Sequence, residues 1–186
     1  MVRVIAGNFK NKRLKTLKGT ATRPTSDRLK ETLFDIVQDR IQGSVFLDAF
    51  AGSGSIGIEA LSRGAGFAAF IEMSPKAGEV IFENLINLHG LSEKDFLLLV
   101  LTAERALKRL GQLSQKFDIV FLDPPYAARE EYLSFLEQLQ ENHVLSDAAI
   151  IIAEHSRRML LGEQFGQLVR FRELKQGDVV LSFYQL

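Results

Sequence analysis

The chain has 186 residues, 46% of them hydrophobic and 25% charged, which fits one globular domain with a full core and a small appendage. It contains no cysteine, which excludes disulfides, thiolate metal sites and cysteine nucleophiles. No apolar run approaches the roughly 20 residues of a membrane-spanning helix, and the N-terminus lacks the apolar stretch of a secretory signal, so we expect a cytoplasmic protein.

The net charge of zero conceals an uneven distribution. Residues 1–30 hold nine Lys or Arg and a single acid, Asp27, whereas the remaining residues hold 14 bases and 22 acids. A basic segment on an acidic body indicates a polyanionic partner that meets one end of the protein. We therefore predict a basic N-terminal extension over residues 1–42 and a main domain over residues 43–186.

The predicted extension begins with a hairpin between a short strand over Val2–Gly7 and a second strand over Lys12–Lys15. Ser26 is placed to cap the next helix, because a hydroxyl there accepts a hydrogen bond from the first helical turn. Apolar residues at helical spacing continue to Ile41, and Gly43 ends the pattern. One helix is therefore predicted between Ser26 and Gly43.

Strands and helices then alternate regularly. The predicted strands cover Val45–Phe50, Phe67–Ile71, Phe96–Leu101, Phe117–Leu122 and Ala148–Ala153, and the helices between them cover Ile56–Arg63, Lys76–Leu88, Ala103–Leu110 and Glu130–Gln140. A terminal hairpin follows over Leu168–Leu174 and Val179–Tyr184. Unbroken apolar runs such as 96–101 indicate strands buried on both faces, which is typical of parallel sheets. The pattern predicts a doubly wound α/β fold with a mostly parallel sheet.

Ligands of such sheets bind beyond the carboxyl ends of the strands. The first of these strands leads into the small-residue loop Ala51-Gly52-Ser53-Gly54, and the next helix begins there with free backbone N–H groups. Gly52, Gly54 and Gly57 match the spacing of a dinucleotide fingerprint, but that spacing alone is a weak signal. Asp48 would place a carboxylate under the loop, where it suits an ammonium group or ordered water better than a pyrophosphate.

The second strand leads to Glu72, 20 residues after Gly52, where a carboxylate can accept hydrogen bonds from both hydroxyls of a ribose. A cofactor with a ribose and an amino-acid group fits this set, and S-adenosylmethionine has both. Its methionine part is expected over Phe50, Ala51, Gly52, Ser53 and Gly54, with its ribose at Glu72.

The strand over Phe117–Leu122 leads directly into Asp123-Pro124-Pro125-Tyr126. The Asp123 carboxylate and the Pro124 carbonyl are acceptors on a stiff turn, because proline fixes φ and donates no hydrogen bond. Together with the Tyr126 ring they suit a planar group that carries an NH₂: the ring stacks on a base, and the acceptors orient the amine. The proton would be lost as positive charge develops on nitrogen, so positioning and electrostatics would supply most of the catalysis.

At these residues the sequence resembles the bacterial RsmD family of ribosomal RNA methyltransferases. Asp123–Tyr126 resembles the signature of amino-group methyltransferases, and residues 48–54 resemble their cofactor loop. The resemblance also rests on the blocks 3–7, 22–28, 31–34, 57–65 and 175–177, so it covers essentially the whole chain.

The resemblance implies a Rossmann-like methyltransferase fold whose last strand is antiparallel, with S-adenosylmethionine as methyl donor. It implies transfer to the exocyclic N2 amine of a guanine in 16S rRNA, within a 30S subunit or assembly particle. Asp123, Pro124 and Tyr126 would hold the amine. The residues expected to contact the RNA are Lys12, Arg13, Arg23, Thr25, Ser26 and Arg28.

The sequence departs from the family at Thr102, where an acid usually meets the adenine amino group. Adenine is therefore expected to contact the backbone at Ala103 and an apolar wall near Met73. The three histidines lack a metal-ligand spacing, so no metal is expected, and the chain is expected to be a monomer. Two alternatives stay open: a DNA adenine-N6 or protein glutamine methyltransferase, because the proline turn suits any planar amine, and an RNA-binding assembly factor without catalysis.

Overall fold

An eight-stranded sheet forms the centre of the protein in a computed structural model that describes residues 2–17, 25–124 and 129–186. Within these ranges the elements run in the order β1 (Val2–Arg3), β2 (Arg13–Leu14), α1 (Asp27–Ile36), α2 (Gln38–Ile41), β3 (Val45–Ala49), α3 (Ser55–Ser62), β4 (Phe67–Glu72), α4 (Pro75–Ile86), β5 (Phe96–Val100), α5 (Ala103–Gln112), β6 (Phe117–Leu122), α6 (Arg129–Glu141), β7 (Leu145–Ser156), β8 (Gln164–Phe165), β9 (Leu168–Gln176) and β10 (Val179–Gln185).

The strand order in the large sheet is β5-β4-β3-β6-β7-β10-β9-β8. Strands β3 to β7 are parallel, and β10 pairs antiparallel with both β7 and β9. The predicted mostly parallel sheet with an antiparallel last strand is confirmed. Because β3 lies between β4 and β6, the chain reverses its winding direction there, and the carboxyl ends of these three strands lie side by side.

Helices cover both faces of the sheet, because alternate side chains of a strand point to opposite sides. On β3, Phe46 packs in the cluster that contains residues of α1, α3 and α4, whereas Leu47 packs in the cluster with α5 and α6. Both side chains are fully buried. Helix α3 is buried along its whole length, which places its N-terminus firmly at the end of β3.

Several predicted boundaries differ from the structure. The single helix predicted up to Gly43 is two helices, because the backbone leaves helical geometry at Val37 (φ −104°, ψ 12°). Strand β7 is longer than predicted, and β8 was not predicted, since two residues carry no periodic signal. The apolar run of β5 is only half-buried because β5 is an edge strand, so the inference that this run is buried on both faces was wrong.

The predicted N-terminal hairpin is present, with two-residue strands in which Val2 pairs with Leu14. Val2 and Leu14 belong to the same hydrophobic cluster as Leu33 and Phe46, so the N-terminal segment contributes to the core. The division into an extension over residues 1–42 and a domain over residues 43–186 stays a prediction. None of the helices in the described ranges is long and apolar enough to cross a membrane.

Glu59 of α3 joins the N-terminal segment to the sheet domain. Its carboxylate accepts hydrogen bonds from the backbone N–H groups of Ile5 (2.8 Å) and Ala6 (3.0 Å). Arg63 donates to the same carboxylate at 2.9 Å, and the ammonium of Lys30 lies 3.7 Å away and donates to the Arg3 carbonyl. The Lys30 and Glu59 side chains are both fully buried. Burial lowers the pKa of Lys30, and the nearby Glu59 charge opposes that shift.

We predict that Glu59→Gln destabilises the protein by roughly 3–5 kcal/mol, because it leaves buried cationic groups without their carboxylate. Urea unfolding measures this change in the free energy of unfolding. Glu104→Gln is the matched control, since Glu104 forms an exposed pair with Lys108 on α5, and its midpoint should not change. Equal midpoints for Glu59→Gln and the wild type would contradict a structural role of the buried pair.

Candidate functional site

A cavity of about 420 Å³ lies at the carboxyl ends of the parallel strands. This volume is in the range of small-molecule sites. Its lining includes seven of the residues predicted to bind a cofactor: Asp48, Phe50, Ala51, Gly52, Ser53, Glu72 and Asp123. The parallel sheet therefore brings the glycine loop together with the strand-end acids of β4 and β6.

The loop after β3 turns sharply because three of its residues have positive φ: Phe50 (64°), Gly52 (57°) and Gly54 (74°). The Phe50 ring packs against Phe135 of α6, with ring centroids 5.4 Å apart, which holds a non-glycine residue in this unusual conformation. Among the described residues, apart from Gly52 itself and its chain neighbours, no atom lies within 4 Å of the place where a Cβ on Gly52 would be. The backbone at Gly52 is thus open for close approach by a ligand.

Asp48 on β3 stabilises the start of α3, directly after the glycine loop, by a hydrogen bond. The residue is only 2% exposed, and its carboxyl accepts a 2.8 Å hydrogen bond from the backbone N–H of Gly57 in the first turn of α3. Burial raises the pKa of Asp48 to about 8; the charges of Asp123 and Glu72 act in the same direction, and the Gly57 hydrogen bond opposes them. A Cβ on Gly57 would lie 2.3 Å from the Phe70 ring, so α3 approaches β4 this closely only with glycine there.

Glu72 is bonded to the loop that it faces. One carboxylate oxygen accepts a hydrogen bond from the backbone N–H of Gly52 (2.9 Å), and the other accepts from Ser74 (2.8 Å). A carboxylate has about four acceptor positions, so it keeps two for a ligand that donates two hydroxyl hydrogens. The backbone contacts hold the Glu72 side chain in one orientation before any ligand binds.

Asp123 directly follows β6. The sequence interpretation missed a second acid, Glu154, which lies beside Asp123 on the neighbouring strand β7. Leu122 pairs with Ala153, so Asp123 and Glu154 come next on adjacent parallel strands. Burial raises the pKa of both carboxyls. The Thr25 hydroxyl donates to Glu154 at 3.0 Å, and Thr25 also lines the cavity. Glu154 could have been found by the signal that identified Glu72 and Asp123, since it directly follows a buried apolar run.

Other predicted residues lie outside the cavity lining: Gly54, Met73, Ala103 and Pro124. A Cβ on Gly54 would lie 3.2 Å from Ile81 of α4, so the absent side chain allows helix packing. Met73 is 73% exposed after β4, and Ala103 begins α5 directly after Thr102. Pro124 is buried, whereas Tyr126, the predicted stacking residue, lies outside the described residues.

The predicted RNA-side residues have different surroundings. Lys12 is half-buried, and Arg13 and Arg28 are exposed. The Ser26 hydroxyl caps α1 by accepting from the Leu29 N–H at 3.2 Å, as its predicted capping role requires. Arg23 lies outside the described residues.

The basic N-terminal segment reaches the cavity, which the sequence interpretation did not anticipate. Thr16 and Leu17 line the cavity wall. Just before them, the backbone of Lys15 donates to the side chain of Asn84 at 2.8 Å, and Asn84 also donates to the carbonyl of Ser53 in the glycine loop at 3.1 Å. One buried amide of α4 thus connects the basic segment to the loop. No sequence pattern marked Asn84, because its role depends on a contact between distant segments.

The site is rich in acceptors and acidic groups. The described residues contain no cluster of His, Asp or Glu side chains suited to a metal ion. Carboxylates on adjacent strand ends, next to a glycine loop with open backbone, can bind a ligand that is cationic and donates several hydrogen bonds.

Three comparisons with known proteins show what the chain is similar to. Residues 2–185 match the family described as conserved hypothetical protein 95. The YlbH protein of Bacillus subtilis, whose name assigns it provisionally to the rRNA methyltransferases, is 37% identical over 184 residues, covering 99% of this chain and 98% of that protein. Ribosomal RNA small subunit methyltransferase D of Escherichia coli strain K12 is 33% identical over 186 residues, covering 99% of this chain and 89% of that protein.

Among solved structures, the yhhF protein of Escherichia coli superimposes with a TM-score of 0.84 at 30% sequence identity. The match covers 99% of this chain and 97% of that one. The similarity therefore extends over both the N-terminal segment and the sheet domain.

We predict that the buried proton on Asp48 makes stability depend on pH. In the unfolded chain an aspartate ionises near pH 4, whereas the folded protein holds the proton to about pH 8. Between these values the folded state binds one more proton, so the stabilisation is present below about pH 4 and is lost as pH rises to 8, at up to about 1.4 kcal/mol per pH unit.

Asp48→Asn keeps an acceptor for the Gly57 N–H but has no proton to lose. Its free energy of unfolding should therefore fall less steeply with rising pH than that of the wild type, as measured by urea unfolding between about pH 5 and 7.5. Asp35→Asn, at an exposed position of α1, should keep the wild-type slope. Identical slopes for Asp48→Asn and the wild type would contradict a proton on Asp48.

Proposed function

Because the chain belongs to the conserved hypothetical protein 95 family, the RsmD family, we propose that it methylates 16S ribosomal RNA during small-subunit assembly. The methyl group comes from S-adenosylmethionine and goes to the exocyclic N2 amine of one guanine. The observation that carries this proposal is the meeting of the glycine loop, Glu72 and Asp123 in one cavity. The names of relatives that share at least 30% of their residues with the chain over nearly its full length support it.

The residues around the loop fit a nucleoside cofactor. Glu72 is oriented by two backbone N–H groups and retains acceptor positions for two ribose hydroxyls. The open backbone at Gly52 leaves room for the methionine part, the Asp123 carboxylate favours its ammonium group, and Asp48 contributes a neutral carboxyl as a further hydrogen-bonding partner. Bound S-adenosylmethionine supplies an electrophilic methyl group on a positively charged sulfur. In this assignment the loop is shaped by Phe50, Ala51, Ser53 and Gly54. The adenine ring is proposed to contact Met73 and Ala103.

The target amine is assigned to the end of β6. The Asp123 carboxylate and the Pro124 carbonyl accept its two N–H hydrogens, which directs the nitrogen lone pair toward the methyl group. Tyr126 is proposed to stack on the guanine ring, which must leave its base pair or stack to enter the cavity. The acceptors act mainly by holding the amine in a reactive orientation.

The RNA is proposed to bind along the basic N-terminal segment, whose residues Thr16 and Leu17 already form part of the cavity wall. Lys12, Arg13, Arg23 and Arg28 would contact phosphates, which set affinity and register, while Thr25 and Ser26 lie where that segment enters α1. We expect the protein to act in the cytoplasm as a monomer, without a metal, on 16S rRNA within a 30S subunit or assembly particle.

A labelled-methyl assay tests the proposed activity. The protein is incubated with labelled S-adenosylmethionine and 30S particles from a strain that lacks the gene, and the modified nucleotide is mapped. We expect one labelled N2-methylguanine in 16S rRNA, and no transfer by Asp123→Ala. Label on adenine, on glutamine or on no acceptor would contradict the proposed target, and calorimetry without donor binding would favour a non-catalytic RNA-binding factor.

We predict that replacing Lys12 and Arg13 together by alanine weakens RNA binding and reduces its salt dependence. Each lost phosphate contact should lower the slope of log affinity against log salt by roughly 0.7 to 0.9, so the double variant should lose about 1.5. Filter binding at several salt concentrations measures the slope. The control replaces Lys108 and Arg109, which are exposed on α5, and should keep the wild-type slope. An unchanged slope for the first variant would place the RNA on another surface.

A further inference from the structure

Glu154 is a buried acid at the site with no role in the function proposed above. Its residue is 7% exposed, and it lies on β7 between β6 and β10. The Thr25 hydroxyl contacts its carboxyl at 3.0 Å, and the Tyr132 hydroxyl of α6 donates to its backbone carbonyl. A burial this deep costs free energy for an ionised carboxyl, so the residue is expected to have a neighbour or a proton that offsets this cost.

The neighbour on the adjacent strand is Asp123, whose own charge raises this cost instead of offsetting it, which leaves a proton as the compensation. Strands β6 and β7 are parallel and paired up to Leu122 and Ala153, so the two acids leave adjacent strand ends at the same level. Neighbouring strands lie about 4.8 Å apart, which puts the two carboxyls within range of strong mutual repulsion if both are ionised. Asp123 lines the cavity, and Glu154 lies beside it, behind Thr25.

The surroundings of the pair offer little compensation for negative charge. Asp48 and Glu72 on β3 and β4 are also acidic, and the residue of β10 beside Glu154 is Leu181. His155 is turned to Ser156 and Ser182 through its two ring nitrogens. Among the ion pairs of the described residues, none includes Asp123 or Glu154. Burial and mutual repulsion therefore favour one shared proton, and burial raises the pKa of each carboxyl.

We propose that Asp123 and Glu154 form a carboxyl pair in which Glu154, as a positioning residue, holds one proton and thereby makes Asp123 the acceptor for the proton that the target amine releases. This inference rests on the proposed function, because it needs an amine that loses a proton during methyl transfer. It assigns that proton a destination within the cavity.

The step balances as follows. The amine nitrogen uses its lone pair to form a bond to the methyl carbon, and the electrons of the broken carbon–sulfur bond stay on sulfur. The nitrogen, now positively charged, gives one N–H proton to the Asp123 carboxylate, to which it was already hydrogen-bonded. Asp123 later releases this proton to water through the cavity that it lines. A carboxylate with a raised proton affinity is the better base for this transfer near neutral pH.

Thr25 suits such a pair because a hydroxyl can donate to an ionised carboxylate and accept from a protonated one. Its 3.0 Å contact with Glu154 can therefore persist whichever acid of the pair holds the proton. Thr25 also orients Glu154 without introducing a positive charge that would keep both carboxyls ionised.

Carbon-13 NMR titration of labelled Asp and Glu carboxyls in the protein without RNA tests the pair directly. We expect the Asp123 and Glu154 signals of the wild type to titrate as a coupled pair, with one step near neutral pH. In Glu154→Gln this step should be lost, because no second carboxyl is left to share a proton, and Asp123 should titrate alone at least about one pH unit below it. Glu137→Gln, at an exposed position of α6, should leave the Asp123 titration unchanged.

A second variant keeps the test decisive if Glu154→Gln does not fold. In Asp123→Asn, the Glu154 signal should shift to lower pH by a similar amount, since the repulsion is mutual. The proposal would be overturned if the Asp123 and Glu154 signals each titrated near pH 4 in the wild type. It would also be overturned if replacing either acid left the titration of the other unchanged.

The pH profile of methyl transfer separates this inference from the proposed function. The kcat/KM profile of the wild type should show an inflection at the pair's step near neutral pH, where the shared proton is lost, and Glu154→Gln should lack it, a change that a purely structural role would not produce. A coupled titration in a protein that methylates no RNA would refute the proposed function. An active enzyme whose profile keeps that inflection in Glu154→Gln would refute the proton-accepting role of the pair.

Discussion

Four acidic side chains at the carboxyl edge of one parallel sheet are the constraint on which the site depends. Asp48 and Glu154 lie within the last residues of β3 and β7, Glu72 ends β4, and Asp123 follows β6, so the sheet topology brings all four to the same edge. Each acid is accommodated locally: Asp48 by the proton that burial keeps on it and by the Gly57 N–H, Glu72 by the backbone N–H groups of Gly52 and Ser74, and Asp123 and Glu154 by the shared proton that we infer. Such an edge favours a cationic ligand, because a positive charge relieves the repulsion among the carboxyls.

The same acids explain why the glycine loop is ordered. Backbone N–H groups at the loop and at the start of α3 would lack partners at the end of a buried helix. Asp48 and Glu72 accept from them, and the positive φ values of Phe50, Gly52 and Gly54 direct the chain so that this is possible. The backbone geometry of the loop therefore depends on its hydrogen bonds to these acids, and the same hydrogen bonds orient the acids.

The N-terminal segment is built into this structure through two buried polar side chains. Glu59 accepts from the backbone of Ile5 and Ala6, and Asn84 connects Lys15 to Ser53. Buried polar groups with all partners in place fix one arrangement, because any other leaves them unsatisfied. The basic segment proposed to meet RNA is therefore held at the cavity wall and shares a hydrogen-bonded link with the loop proposed to hold the methyl donor.

The sequence by itself determined the alternation of strands and helices, the parallel sheet, the glycine loop and the acids Asp48, Glu72 and Asp123, because apolar runs, glycines and strand-end acids are local signals. Only the tertiary structure decided that β5 is an edge strand, that Glu154 lies beside Asp123, that Thr16 reaches the cavity, and that Asn84 connects Lys15 to Ser53. These features arise from contacts between residues far apart in the chain. A local pattern records what a residue can do, but the residue that it meets depends on strand order and helix packing.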